Sequence, residues 1–172
     1  MAIGDVNSTA RGSGARYNDG KAPLELIPLI LIAQSYDLGD KRTPHHVPMR
    51  EALRHLGRFQ EGGGTDALQM AIRALDFDGE AFDECARVFD YGRQKYAEWN
   101  WAKGMPWSVP TGCAARHALK VLAKGEMDDP ESGLTHRGHF MCNLVMLLTY
   151  ARTFPEGDDR PRVFQAPEVS GR

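Results

Sequence analysis

No charge of one sign dominates this sequence. Its 21 Lys+Arg stand against 23 Asp+Glu, a net charge of −2. That balance excludes the basic footprint of a protein that coats nucleic acid, though not a small charged ligand held by a few placed residues. Cysteine is scarce: Cys85, Cys113 and Cys142 are widely spaced, and no C-x-x-C pair occurs. Neither a disulfide framework nor a zinc knuckle fits, so reduced, mostly buried thiols in a cytoplasmic protein are expected. Long apolar runs are missing as well. The most apolar stretch, 24–33, holds Glu25 and Pro28 and falls far short of the roughly 20 residues a bilayer demands. Near the start, Gly4, Asp5, Asn7 and Gly12-Ser13-Gly14 leave no apolar signal core.

Several catalytic patterns are absent too. Gly20-Lys21 lacks both the earlier glycine and the following Ser or Thr of a P-loop. There is no G-x-G-x-x-G, H-E-x-x-H or G-x-S-x-G, and no His-Asp doublet of the kind metal phosphohydrolases use. His45-His46 lies in a Pro-flanked loop without an evident third metal ligand. No segment alternates cleanly with period two.

What is present is helical periodicity in a chain of 172 residues, 42% hydrophobic and 26% charged, enough for one well-cored domain. Pro48 suits a first helical turn, and 49–60 places Ala52, Leu53, Leu56 and Phe59 on one stripe. Gly62-Gly63-Gly64 stops that helix. Thr65 can cap a second over 65–75, and a third over 80–97 is expected to bury Phe82, Cys85, Val88 and Phe89. Residues 99–110, with three tryptophans, two prolines and Gly104, read as an ordered aromatic loop. Thr111 can cap the next helix, which Gly125 ends. A polar, acid-rich loop over 125–134 precedes a last helix over 136–154. The fold class is therefore all-α, a helical bundle in a single domain over 20–154, with a flexible lead over 1–19 and an extended tail over 155–172.

Polar residues concentrate in the C-terminal half. Glu126, Asp128, Asp129, Glu131, His136 and His139 stand within 126–139, and His136, His139 and Asn143 share one helix face. Aimed along a buried stripe, such side chains must be ligated or hydrogen-bonded. They can brace the acidic loop, or they can hold a hard divalent cation, Mg²⁺ or Mn²⁺, with imidazole tilting the choice toward Mn²⁺ or Co²⁺. The acidic loop can equally be a solvated helix connection. Lys95 and Tyr96, with Asn100 and Trp101 beyond, combine a cation, a stacking plane and an amide, suited to phosphate and base together. The same residues can simply pack a Trp-rich loop on the core.

Four segments resemble phage dATP/dGTP diphosphohydrolases, the MazG-like enzymes that include the MazZ type of phages replacing adenine by 2-aminoadenine. They are Asp19-Gly20-Lys21-Ala22-Pro23-Leu24-Glu25-Leu26-Ile27-Pro28, Tyr91-Gly92-Arg93-Gln94-Lys95-Tyr96 with Asn100-Trp101, Arg116-His117, and the run from Gly125 through His136 with His139 and Asn143. The last reads G-E-x-x-D-x-E-S-G-x-x-H-x-x-H. The resemblance covers 19–28 and about 82–150, and makes 29–75 an insertion into the compact pattern. The E-x-x-E and E-x-x-D pairs of MazG-type enzymes are not visible at their expected places. His136 and His139 stand where the second pair would fall.

The resemblance implies an all-α pyrophosphohydrolase that cuts dATP or dGTP to the monophosphate and pyrophosphate with divalent metal. Glu126, Asp129 and Glu131 are the expected ligands, with His117, His136 and His139 as ligands or their supports, for two or more ions. Glu80, Asp83 and Glu84 form a second supply of acids. Lys21, Lys95 and Arg116 are expected on phosphate oxygens, Asn100 and Trp101 on the purine, and Cys113 in packing. Glu131→Ala is expected to abolish turnover. A homodimer or homotetramer, with no nucleic-acid or membrane partner, is also implied. The rivals are a non-catalytic nucleotide-binding or assembly module and a pyrimidine-directed relative.

Overall fold

Chain chemistry sets the helix boundaries. The structure, a computed structural model, describes residues 2–37 and 43–164. Among them are six α-helices: α1 (Leu29–Ser35), α2 (His46–Gln60), α3 (Thr65–Leu75), α4 (Ala81–Tyr96), α5 (Ser108–Lys124) and α6 (His136–Thr153). The only paired strands described are β1 (Ala2–Ile3) and β2 (Arg16–Tyr17), antiparallel to each other. The fold is all-α.

Gly125 ends α5 with φ 67°, a left-handed cap that glycine adopts without strain. Thr135 opens α6, its hydroxyl accepting from the Gly138 N–H at 3.0 Å. Two expected caps differ. Gly64, not Thr65, is the N-cap of α3. Thr111 lies inside α5, its Oγ1 donating to the Trp107 carbonyl at 2.8 Å. The helix begins earlier because Pro110 falls in its first turn, where a missing N–H leaves no bond unmade. The Ser108 N–H there donates to Asp159 Oδ1 at 2.8 Å, a cap supplied from far along the chain. Phe82 is exposed rather than buried, because α4 turns Cys85 and Ala81 inward.

The core joins α2, α3, α5 and α6, with α1 against α2 and α4 against α6. Leu29, Leu53, Leu56, Phe59, Leu68 and Leu75 are buried in the same cluster as Phe140, Leu144 and Leu147. The stretch 29–75 is thus integral to the core, apart from 38–42, which lie outside the described residues.

Both ends of the described chain pack on this body. Residues 2–19, expected as a flexible lead, are tied down. The Gly12 N–H reaches the Lys103 carbonyl at 2.6 Å and the Gly14 N–H the Gly104 carbonyl at 2.9 Å. A Cβ on Gly14 would stand 2.6 Å from the Gly104 oxygen, so this approach requires glycine. At the other end, the Trp107 N–H donates to the Gly157 carbonyl, and Arg160 Nη1 donates to the carbonyls of Phe59 and Gly63 at 2.7 and 2.9 Å. The expected tail is therefore anchored through Arg160, residues 162–164 are exposed, and 165–172 lie outside the described residues. No described helix is long and apolar enough to cross a membrane.

Candidate active site

A cavity of about 510 Å³ opens between the end of α4, the 97–105 loop, α5, α6 and β2. His117, from α5, and His139, from the first turn of α6, line one end of it. His136, one turn before His139 and on the same side facing α5, is buried behind them. The Nδ1 atoms of His117 and His136 lie 2.9 Å apart, so one donates its proton to the other. The rings of His117 and His139 stack at 4.5 Å, 9° from parallel.

Burial dominates their titration. His117 is pushed well below 6.5 by desolvation, with the positive fields of His139, His136 and Arg16 adding to it. His136 is lowered by desolvation despite Asp129 and Glu126. His139 falls to about 4 for the same first reason. All three are neutral at pH 7, the form that ligates metal.

The acidic loop is an ordered hairpin. The His136 N–H bonds the Met127 carbonyl, and the Asp129 N–H the Leu134 carbonyl, both at 2.8 Å. It carries Asp129 over the histidines. Asp129 Oδ2 accepts from the Ser132 N–H and Oγ at 3.2 and 3.0 Å, and Ser132 Oγ lies 2.7 Å from His139 Nε2. His117, Asp129 and His136 each offer a ligand atom, all within 4.8 Å of one another. Two neutral imidazoles and one carboxylate suit a borderline divalent ion, which these three residues would hold. The donor set fits a metal.

The other expected ligands are placed differently. Glu126 does not line the cavity. It sits behind His136, 3.7 Å from Nε2, and pairs with Lys120 at 3.4 Å. Glu131 lines the cavity but is exposed and bound to Lys95 Nζ at 2.7 Å. That contact holds the Glu131 carboxyl below its ordinary range and raises the Lys95 ammonium. Neither acid joins the three-ligand group, because the hairpin points only Asp129 inward. The second supply of acids is elsewhere: Glu80, Asp83 and Glu84 line a separate depression, and Glu84 is bound by Arg137 and Thr135. Asn143 is fully buried, donating to the His139 carbonyl at 2.7 Å.

The opposite end of the cavity is aromatic, with Tyr91, Tyr96, Trp99 and Trp101 in its lining. Trp101 stacks on Phe89 at 4.8 Å and is partly buried. Trp99, in a left-handed conformation (φ 58°), is 65% exposed. Asn100 is 4% exposed, and its amide is committed to backbone: Oδ1 accepts from the Ala15 N–H at 3.1 Å and Nδ2 donates to the Ala15 carbonyl at 2.9 Å. This corrects the expectation that Asn100 reads a base. Arg116 lines the cavity too, yet donates to the Ala22 carbonyl, Asn18 Oδ1 and Cys113 Sγ, which occupies most of its fork. Lys21 is exposed at the cavity wall. Sequence reasoning missed Trp99, Ser132 and Arg16. Ser132 alone had a signal, its place inside the long acidic motif.

Such a cavity, with neutral imidazoles and a carboxylate at one end and aromatic rings at the other, is built for a ligand carrying both charge and a flat ring. A family model described as dATP/dGTP diphosphohydrolase, N-terminal, matches residues 60–160. The chain belongs to that family. The match begins at the last residue of α2, so α3 lies inside the family span and β2 outside it. A protein of Salmonella phage PMBT28, named dATP/dGTP diphosphohydrolase, is 33% identical over 78 residues, covering 45% of this chain and 26% of that protein. The chain thus spans about a quarter of the length of the curated relative it matches. No solved structure matches.

Proposed function

We propose that this chain is a divalent-metal-dependent hydrolase of purine deoxynucleoside triphosphates, converting dGTP and dATP to the monophosphate and pyrophosphate. The observation that carries the reading is the His117, Asp129 and His136 group beside an aromatic-walled cavity, in a chain of this family. Those three residues would hold the ion. A bound divalent ion lowers the pKa of water and neutralises phosphate charge. The remaining chemistry falls to the chain. Attack of water on the α-phosphorus breaks the bond to the α–β bridging oxygen, and that electron pair leaves with pyrophosphate. The water's proton passes to the Asp129–His139 pair, whose Oδ2 and Nε2 lie 3.7 Å apart. Lys95, once released from Glu131, and Lys21 would meet phosphate oxygens, and the exposed Trp99 would stack on the base, backed by Trp101.

Conversion of dGTP to dGMP suits nucleotide-pool remodelling in a phage with 2-aminoadenine DNA, since that pathway consumes dGMP and removal of dATP keeps adenine out. The test is pyrophosphate release from each of the four dNTPs with Mn²⁺, Co²⁺ or Mg²⁺. Turnover of dGTP and dATP well ahead of dCTP and dTTP is expected. Equal binding of dGTP with and without metal, and no turnover with any of them, would make the chain a non-catalytic nucleotide-binding module instead.

A further inference from the structure

β2 carries a cation to which this reading gives no task. Arg16 lines the cavity. Its Nη1 donates to Met146 Sδ at 3.6 Å, and it forms no ion pair among the described residues. A guanidinium stays charged at any pH the fold survives and has five N–H donors, whereas a thioether is a weak acceptor. Holding such a group away from bulk water without a counter-charge is costly unless an anion enters.

The placement is built rather than incidental. Residues on both sides of Arg16 are bonded to the cavity walls. Ala15 is held at both its N–H and its carbonyl by the Asn100 amide. The Tyr17 N–H donates to Tyr96 Oη at 3.3 Å. Arg16 itself pairs with Ile3 across the β1–β2 ladder. The position is also intermediate. Its charge helps lower His117 and His139 at one end of the cavity, while Tyr96 of the aromatic end lies within its field. Of the other cations of the cavity, Lys95 is held by Glu131, Arg93 by Asp90, and Arg116 by Ala22 and Asn18, while Lys21 is exposed at the wall. Arg16 is thus a cavity cation without a carboxylate partner among the described residues, set between the two ends.

We propose that Arg16 is a polyphosphate-binding residue of this cavity and that Asn100 is the positioning residue that holds it there through Ala15. The planar fork takes two phosphate oxygens at once, which an ammonium cannot do. Binding of an anion here does not require the hydrolase reading. The identity of that anion as a nucleotide triphosphate rests on it.

The experiment is calorimetric titration of inorganic tripolyphosphate into the full chain at low ionic strength with chelator present. The wild type, Arg16→Gln, Arg16→Lys, Asn100→Ala and the Arg16→Gln/Asn100→Ala double variant are compared, each with its melting curve. Arg16→Gln is expected to weaken binding at least tenfold with its melting temperature close to wild type, and Arg16→Lys to recover part of the loss. Asn100→Ala weakens binding as well, and the double variant binds no more weakly than Arg16→Gln alone, because Asn100 acts through Arg16. Should wild type fail to bind tripolyphosphate, or Arg16→Gln or Arg16→Lys bind it as wild type does, the proposal is overturned. Additive losses in the double variant would remove Asn100 from it. Pyrophosphate release separates the two readings: an enzyme inert toward every dNTP whose tripolyphosphate binding still depends on Arg16 sinks only the hydrolase assignment.

Discussion

Two arginines held away from solvent show opposite ways of keeping a cation in a helical protein. Arg137, on α6, is 1% exposed and gripped by two carboxylates. Its Nη1 donates to both oxygens of Asp78 at 2.8 Å, its Nε to Glu84 Oε2 at 2.8 Å and its Nη2 to Glu84 Oε1 at 2.6 Å. The Phe77 ring lies 5.1 Å from its guanidinium carbon. These partners raise its pKa further. Burial pushes the Glu84 carboxyl up, but its bonds to Arg137 and Thr135 more than offset that and leave it below its ordinary range. Arg16 faces a cavity with a thioether and no carboxylate partner among the described residues. A cation whose charge is answered by carboxylates within the fold is part of the fold. One left unanswered at a cavity wall is reserved for what the cavity takes.

Removing each charge and measuring stability separates the two arginines most clearly. Arg137→Met leaves Glu84 half-buried beside Asp78 with no counter-ion, and loss of one partner of a buried pair costs about 3–5 kcal/mol. Urea denaturation should therefore show a large fall in the midpoint for Arg137→Met. Arg16→Gln removes no counter-charge and should stay within about 1 kcal/mol of wild type. Equal losses in the two variants would mean that Arg16 is structural after all.

The contrast also marks what the sequence could disclose. Apolar spacing exposed α2 through α6, and Gly125 announced the end of α5 by its special backbone. The i, i+3 spacing of His136 and His139 correctly put them on one face, and the acid-rich motif held Asp129. The acids of that motif could not be ranked from their spacing, since a hairpin bond between Asp129 and Leu134 decides which carboxylate points inward. Arg16 was invisible for a related reason. A Gly-rich stretch without apolar periodicity reads as a loose end, and its anchors, Asn100 and Gly104, are 85 and 90 residues from Ala15 and Gly14. Asp159 capping Ser108 across 51 residues is the same kind of fact.

The histidine cluster extends the comparison to groups that avoid charge altogether. In the metal-free protein His139 titrates near 4, against 6.5 for its ordinary value. Its folded pKa is depressed, so above 6.5 both folded and unfolded forms are neutral and stability is full. As pH falls from 6.5 toward 4 the unfolded chain takes a proton that the folded one refuses, and stability drops. This one residue accounts for a loss of up to about 3 kcal/mol, and His117 and His136 push in the same direction. Thermal melts with chelator present should show a marked decline between pH 7 and pH 4.5, and a shallower one for His139→Gln. A flat profile would show that protons reach these rings in the folded state.

The same distinction between answered and unanswered groups applies to the two tryptophans, with the smallest effect. Trp101 is answered: its ring lies on Phe89 and packs on the core. Trp99 is largely exposed at the cavity, 5.9 Å from the Trp101 ring and in a backbone conformation unusual for a non-glycine residue. If Trp99 supplies a face for the base, Trp99→Ala should forfeit stacking of about 1–3 kcal/mol, raising KM for dGTP roughly tenfold while kcat stays within a few-fold. The loss should be smaller for dCTP, whose ring offers less area, so purine preference should narrow. Trp101→Ala should lower the melting temperature, because it opens a gap beside Phe89. The readout is KM and kcat for dGTP and dCTP beside a melting curve for each variant. A larger rise in KM for Trp101→Ala than for Trp99→Ala, with the Trp101→Ala melting temperature unchanged, would exchange the two roles and place the base deeper in the cavity, against the side of Trp101 that Phe89 leaves open.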